Sequence, residues 1–397
     1  MKKLFTLLVL VIALFACLTG CKKNEEEKSG LEGIKIGFIT LHDDSSTYDK
    51  NFLDAIKNVA KDLGLKDDQL IIRVNIPEGP ECYDTACDLV DKGCNIIFAD
   101  SFGHEAHMLK AAKEFPNVQF CHATGTTAHT SNVANFHNAF ASIYEGRFLA
   151  GVAAGMKLNE MIEQGKITAA QAIMGYVGAF PYAEVKSGYT SFYLGAKYVC
   201  PEVKMVVRFT NSWYSPESES ETCRQLIEND KCVLISQHAD SMGAPSVCEE
   251  KNVPNVFYNG TTTLSTFLCS SRINWEPYFK YLINAVVKGE KMDSDYTGTL
   301  QSGSVEVFEP GACAAAGTKE KIAELKAKLL DGSLQVFDTN TFTVAGAKLT
   351  TYKADVDDFG DFVPETEVIL NGYFNESKFR SAPYFDITID GITAYVD

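Results

Sequence analysis

Positive charge is scarce in this chain, with 36 Lys and Arg set against 52 Asp and Glu for a formal net charge of −16. That balance argues against nucleic acid or an anionic lipid surface as the partner, because phosphate binding needs clustered Lys and Arg. Although there are 12 cysteines, no CxxC pair occurs, so zinc spacing of the usual kind is missing. There is also no GxSxG elbow, no P-loop, and no GxGxxG after the first strand pattern, which leaves no familiar nucleophile, phosphate cradle or dinucleotide fingerprint. No cofactor is implied, and paired acids such as Asp43 and Asp44 read as helix caps or solvated turns rather than as catalysts. Beyond the N-terminus no long apolar run appears, so nothing else suggests a membrane span.

At the N-terminus, Lys2 and Lys3 precede an apolar run from Leu4 to Leu18, too short and one-sided for a span and patterned as an export signal. The following Leu18-Thr19-Gly20-Cys21 resembles a bacterial lipobox. It implies cleavage before Cys21 and lipidation of that cysteine, whose acyl chains, at about 0.8 kcal/mol per buried CH2, would anchor the chain without a protein span. Residues 1–20 are therefore expected to be a signal peptide and 21–33 a polar, lipid-anchored tether. Cys82, Cys87 and Cys94 lie close together, as do Cys223, Cys232 and Cys248. An exported chain could bridge some of them, although the spacing assigns no pairing.

From Ile34 onward, short β-branched or aromatic runs alternate with amphipathic segments. "IKIGFIT", "QLIIRVNI", "NIIFAD" and "NVQFCHATG" are each separated by helical patterns, and the series restarts at "AIMGYVGAF", "KMVVRFT", "VLISQ" and "NVFYNG". Such alternation predicts parallel strands with crossover helices, here in two similar α/β lobes. The expected division is 34–138 with 262–290 for an N-terminal lobe, 139–261 with 291–340 for a C-terminal lobe, and 341–397 as an extension of unassigned role. "STFLCSSRIN" and the helix from Trp275 to Lys288 are expected to return to the first lobe.

Ligands of open parallel sheets bind outside the carboxyl ends of the strands. The loops there, "LHDDSSTYD", "DSFG", "HATGTT", "GAFPYAE", "TNSWYSP", "QHADS" and "YNGTT", are rich in aromatics, Asn, Asp and His. Two kinds of site compete for them. Four of the seven histidines, His104, His107, His122 and His129, fall within Ser101–His129, and His104 and His107 share a helix face at i, i+3. Yet "HEAH" lacks the HExxH spacing of a metalloprotease. A flat neutral heteroaromatic ligand would instead use aromatic faces and carboxylate or amide edges. Tyr48, Phe102, Phe180 and Trp213 could supply the faces, and Asp43, Asn211, Asp240 and Asn259 the edges. "SFGHE" is expected to run into a helix N-terminus whose free N–H groups meet a ligand oxygen. Gly125 would permit the turn after "HAT", and His104 and His122 would be rim hydrogen bonders.

"DSFGHE", "FCHATG", "YEGRFLAGVAAG", "VGAFPYAEVKSGYTSFYLGA", "TNSWYSP", "SQHADS" and "RINWEPYF" resemble, in order, the basic membrane protein family, the substrate-binding lipoproteins of nucleoside-type ABC importers. The resemblance spans about Ile34 to Lys288, with "LLDGSLQVFD" similar to the closing segment. It implies a type I periplasmic-binding-protein fold with two Rossmann-like lobes of parallel sheet closing on a purine nucleoside or base. It further implies roles for Asp43, Tyr48, Phe102, Trp213, Asp240 and Trp275, with Asp240 accepting hydrogen bonds from the ligand. Ser46 stands where base-binding relatives carry an aromatic, so Tyr48 or Phe52 is expected to replace that face. The partners implied are importer permease subunits and, through the lipid anchor, the extracytoplasmic face of the cell membrane. A surface sensor of the same fold and a metal-capturing lipoprotein are the alternatives.

Overall fold

A computed structural model describes residues 30–356 and 363–396. The first sheet has six strands: β1 (Ile36–Ile39), β2 (Leu70–Arg73), β3 (Ile96–Ala99), β4 (Gln119–Ala123), β5 (Phe136–Ala141) and β11 (Asp295–Gly298), in the order β11-β5-β4-β3-β1-β2. The second has seven: β6 (Ile173–Gly178), β7 (Lys204–Phe209), β8 (Leu234–His238), β9 (Asn255–Tyr258), β10 (Phe267–Ile273), β12 (Val305–Val307) and β17 (Ile392–Tyr395), in the order β12-β10-β9-β8-β6-β7-β17. All these pairings are parallel except β10 with β12. Central strands such as β1 and β3 are buried along their whole length. That is why they read as unbroken apolar runs rather than alternating ones.

Helices α1 (Thr47–Leu63), α2 (Pro80–Asp91) and α3 (Glu105–Glu114) cross over in the first series. Helix α4 (Ile143–Glu163) carries the chain from β5 to β6 in the second sheet, where α5 (Ala183–Val199), α6 (Pro216–Glu228) and α7 (Gly243–Lys251) cross over, followed by α8 (Glu276–Lys288) and α9 (Thr318–Leu330). In α1 the Ser46 hydroxyl caps the Asp49 amide, and Gly64 ends the helix at φ 71, two terminus devices that fix its length. Helices α4 and α5 lie backbone against backbone. A Cβ on Gly151 would stand 2.0 Å from the Phe192 carbonyl, and one on Gly195 1.9 Å from that of Phe148. The glycines of "GRFLAGVAAG" and "YLGA" are thus required by close packing.

The chain crosses between lobes around Ser142, at Asn274–Trp275 and between residues 299 and 304. These connections are cross-linked: the Ser142 amide donates to Gly298 O at 2.8 Å and the Asn274 amide to Ser304 O at 2.8 Å. This placement differs from the expected division at three points. Residues 139–141 and 295–298 lie in the first sheet, and "FLCSSRI", expected in the first lobe, pairs with β9 in the second. Period and propensity identify a strand but carry no mark of which sheet it joins.

Within the extension, β13 (Lys353–Ala354) pairs with β14 (Thr366–Glu367), β15 (Ile369–Leu370) pairs with β16 (Tyr373–Phe374), and β17 lies beside β7 as an edge strand. Phe337 stacks on Phe385 at 4.5 Å, with Phe374 4.7 Å from Phe385, so this segment has core of its own joined to the second lobe. All ten described cysteines are free thiols, although the sulfurs of Cys223 and Cys248 stand 3.8 Å apart. No helix among the described residues is long and apolar enough to cross a membrane.

Candidate ligand-binding cleft

The carboxyl ends of the two sheets face each other across an inner recess. From the first lobe come Leu41, His42, Tyr48, Asp49, Ser101, Phe102 and Thr124; from the second come Glu184, Trp213, His238 and Asp240. The recess has a free volume of about 20 Å³, space for about one water. The lobes touch here: the Thr47 amide donates to Asp240 O at 2.9 Å and its hydroxyl to the same oxygen at 3.2 Å. The rings of His42 and Tyr214 come within 5.3 Å and those of Phe102 and Tyr182 within 6.0 Å.

Asp49, Glu184 and Asp240 are the acids on the wall of the recess, and among the described residues no Lys or Arg lines it. Asp49, 1% exposed, accepts from the His42 amide at 2.7 Å and the Ser46 hydroxyl at 2.6 Å. Burial works against its charge, but the hydrogen bonds from His42 and Ser46 outweigh it and hold the carboxyl below its ordinary value. Asp100 and Asp240 shift the other way. Burial, reinforced by the neighbouring Asp49, pushes both well above the usual carboxylate range. Asp100 accepts from the Leu41 amide at 3.1 Å, and its backbone oxygen receives the Tyr48 hydroxyl at 2.8 Å. Burial and then Arg147 lower His238, leaving a neutral ring beside Glu184 at 3.3 Å. Such a floor sets one ionised acid, Asp49, beside carboxyls that burial holds toward the neutral form, which can both donate and accept, and it suits a neutral ligand with polar groups along its edge.

Of the residues singled out by sequence, Tyr48, Phe102, Trp213 and Asp240 meet at this recess. Phe180 sits behind its wall, stacked on Tyr182 at 5.1 Å and edge-on to Trp213 at 5.1 Å. Four others lie elsewhere. Asn211, at φ 55, donates its amide to Ala179 O at 2.9 Å and does not line the recess. Asp43 accepts from the Ser45 amide at 3.0 Å and the Asn75 amide group at 3.3 Å, and the Ser45 bonds hold its pKa down. It closes a turn, and the acid of this segment that lines the recess is Asp49. Trp275, 2% exposed, stacks on Phe52 at 4.3 Å within the first lobe's core. Phe52 is likewise fully buried, so of the two only Tyr48 lines the recess. Asn259, at φ 59, donates its amide to Ser271 O at 3.0 Å, and its Nδ2 has no hydrogen-bond partner among the described residues. It does not line the recess.

The histidines do not gather. His104 and His122 are fully buried, not on the rim, and bond the carbonyls of Ile76 at 2.9 Å and Ser101 at 2.6 Å. Burial lowers His104 to about 4. His129 bonds Val356 O at 2.7 Å, and no metal-binding cluster of His, Cys, Asp and Glu occurs among the described residues. The "SFGHE" N–H groups are also taken. Glu78 accepts from the Gly103 amide at 2.7 Å and the Ser101 hydroxyl at 2.6 Å, covering the helix start that was expected to face a ligand. Glu105 organises the "HATGTT" loop, accepting from the Thr126 amide at 2.8 Å, the Thr127 amide at 2.9 Å and Asn138 Nδ2 at 2.9 Å. Gly125 is needed for space rather than for a turn. A Cβ there would stand 2.3 Å from Asn138 Oδ1 and 2.5 Å from Glu105 Oε1, whereas the positive φ, 65, belongs to Thr124.

Residues unforeseen in the sequence enter from the extension. A second cavity of about 530 Å³ adjoins the inner recess through Phe102, Thr124, Glu184 and Trp213, with Tyr352, Asp355, Arg380, Tyr384 and Asp386 on its outer side.

The comparisons fit this geometry. A purine-binding protein of Brucella abortus (strain 2308) is 30% identical over 350 residues, covering 82% of this chain and 94% of its own. A putative ABC transporter glucose-binding protein of Haloferax volcanii is 28% identical over 251 residues, covering 62% and 60%. Solute-binding proteins of ABC transporter systems share the fold. That of Conexibacter woesei DSM 14684 has a TM-score of 0.61 at 16% identity, covering 76% of this chain and 98% of its own. That of Aeropyrum pernix K1 has a TM-score of 0.63 at 14% identity, covering 77% and 93%. Residues 38–335 match the family described as "ABC transporter substrate-binding protein PnrA-like", and with two α/β lobes facing across a cleft, the chain belongs to that family of transport binding proteins.

Proposed function

We propose that the chain captures a purine base or nucleoside between its lobes and delivers it, unaltered, to the membrane permease subunits of an ABC importer. The observation that carries this reading is the pairing of aromatic faces, Phe102 and Trp213, with the buried acids Asp49 and Asp240 in a recess that no Lys or Arg lines among the described residues. A purine offers a ring to stack and N–H donors at its edge, and a neutral purine meets no charge penalty there. The purine-binding relative from Brucella abortus supports the same ligand class. Because the inner recess holds about one water, the lobes are expected to part before a purine enters. A lipid anchor at Cys21, on the extracytoplasmic side, completes the proposal. It rests on the sequence, since Cys21 lies outside the described residues.

Thermal unfolding against purine bases, nucleosides, glucose and divalent cations tests the ligand class. A ligand at 100 times its dissociation constant adds about 2.7 kcal/mol to stability. A shift with a purine supports the reading. A shift with glucose or a metal, and with no purine, overturns it.

A further inference from the structure

The chain beyond residue 335 lies outside the matched family region, yet it touches both lobes. Its attachment to the second lobe is extensive. β17 adds four residues of parallel ladder to β7, Glu376 receives the Ser187 hydroxyl, Lys186 pairs with Asp386, and the Phe337–Phe374–Phe385 cluster reaches Tyr144 on α4, 5.2 Å from Phe337. The hydrogen bonds that tie it to the first lobe among the described residues are few. The Asp295 carboxylate at the start of β11 accepts from the Ser381 amide at 2.7 Å and its hydroxyl at 2.5 Å, and His129 bonds Val356 O. Ser381 is fully buried and Asp295 half-buried. The 530 Å³ cavity lies between the extension and residues of both lobes, continuous with the inner recess.

These contacts are unequal. Parting the lobes about their three crossings leaves the ladder and aromatic cluster intact, but it pulls Ser381 from Asp295. We propose that the C-terminal extension is a clasp: fixed in the second lobe, it reaches across the cleft and holds the first lobe through Ser381 and Asp295, so that opening of the cleft requires this junction to part. This goes beyond the ligand reading and does not depend on which ligand is carried.

The Thr47 amide gives a direct readout. As the first residue of α1 it has no intrahelical acceptor, and its partner is Asp240 O in the other lobe. Its hydrogen exchange therefore reports lobe separation, whereas the Val59 amide in the same helix reports unfolding of α1. Hydrogen bonds to a carboxylate are worth more than neutral ones, so Asp295→Ala is expected to speed Thr47 exchange by about tenfold or more while Val59 is unchanged. The double variant Asp295→Cys with Ser381→Cys, oxidised to a disulfide, is expected to slow Thr47 exchange, and reduction should restore it. The cross-linked variant decides the matter if Asp295→Ala also speeds Val59. Thr47 exchange indifferent to cross-linking overturns the clasp. Since no purine is used, that failure is separate from a failure of the ligand reading.

Discussion

Replacing Glu376 with Gln is expected to stabilise the protein at pH 8 and to leave it nearly unchanged at pH 4. Glu376 joins the extension to α5, 1% exposed, with the hydroxyls of Ser187 and Ser377 donating to its two oxygens. Burial raises its pKa from 4.5 to about 7, against the lowering effect of those hydroxyls and of Arg380, with Glu145 adding slightly to the rise. A carboxyl whose pKa is higher in the folded state contributes fully below the unfolded value. That contribution is lost as pH rises from 4.5 through 7, because the unfolded chain releases the proton first. At about 1.36 kcal/mol per pKa unit, the loss is on the order of 3 kcal/mol. Gln has nearly the same shape, keeps one acceptor for the hydroxyls and does not titrate. Urea unfolding of both proteins between pH 4 and pH 8 should therefore show the difference in stability growing in favour of the variant by about 3 kcal/mol. A difference that stays flat across this range would show that Glu376 is ionised in the fold and refute the reasoning.

Trp213→Ala removes an aromatic wall shared by both cavities and should weaken purine binding by about 1–3 kcal/mol, roughly 5- to 150-fold; unchanged affinity by calorimetry would remove Trp213 from the site. Gly125→Ala forces a methyl group against Asn138 Oδ1 and Glu105 Oε1 and should cost about 1–3 kcal/mol in urea unfolding, whereas a neutral result would mean that the loop shifts freely. Cys21→Ser should abolish metabolic lipid labelling of the expressed chain, and labelling that persists would disprove the lipobox reading.

What was legible in the sequence follows the range of the signal. Strand and helix order from Ile34 to Lys288 shows through local period, and the strand-end rule points to Tyr48, Phe102, Trp213 and Asp240, which line the recess. The same rule could not choose among the acids of "LHDDSSTYD". A local signal did exist, since Ser46-x-x-Asp49 has the spacing of a capping box. The Ser46 hydroxyl and the Asp49 amide and carboxylate bond one another, which turns Asp49 inward and leaves Asp43 to close the turn. Trp275 misled because a tryptophan beside a crossing suits either a stacking face or a core plug, and the packing of Phe52, Phe98 and Phe279 decided for the core.

The electrostatics of the cleft and the role of the tail depend on partners far apart in the chain. Thr47 meets Asp240 across 193 residues, Ser187 meets Glu376 across 189, and Asp295 meets Ser381 across 86. No periodicity encodes such pairs, and two-residue strands such as β13 to β16 offer no pattern to read. The physical consequence is a division of labour along the chain. The periodic segments fix two lobes and a recess whose acids suit a neutral ligand with polar groups along its edge. The aperiodic extension, welded to one lobe and hydrogen-bonded to the other, then governs how readily that recess is exposed. Trp213 is therefore expected to set the ligand's contact with the recess, and Asp295 the cost of opening it, a cost that enters the apparent affinity as well.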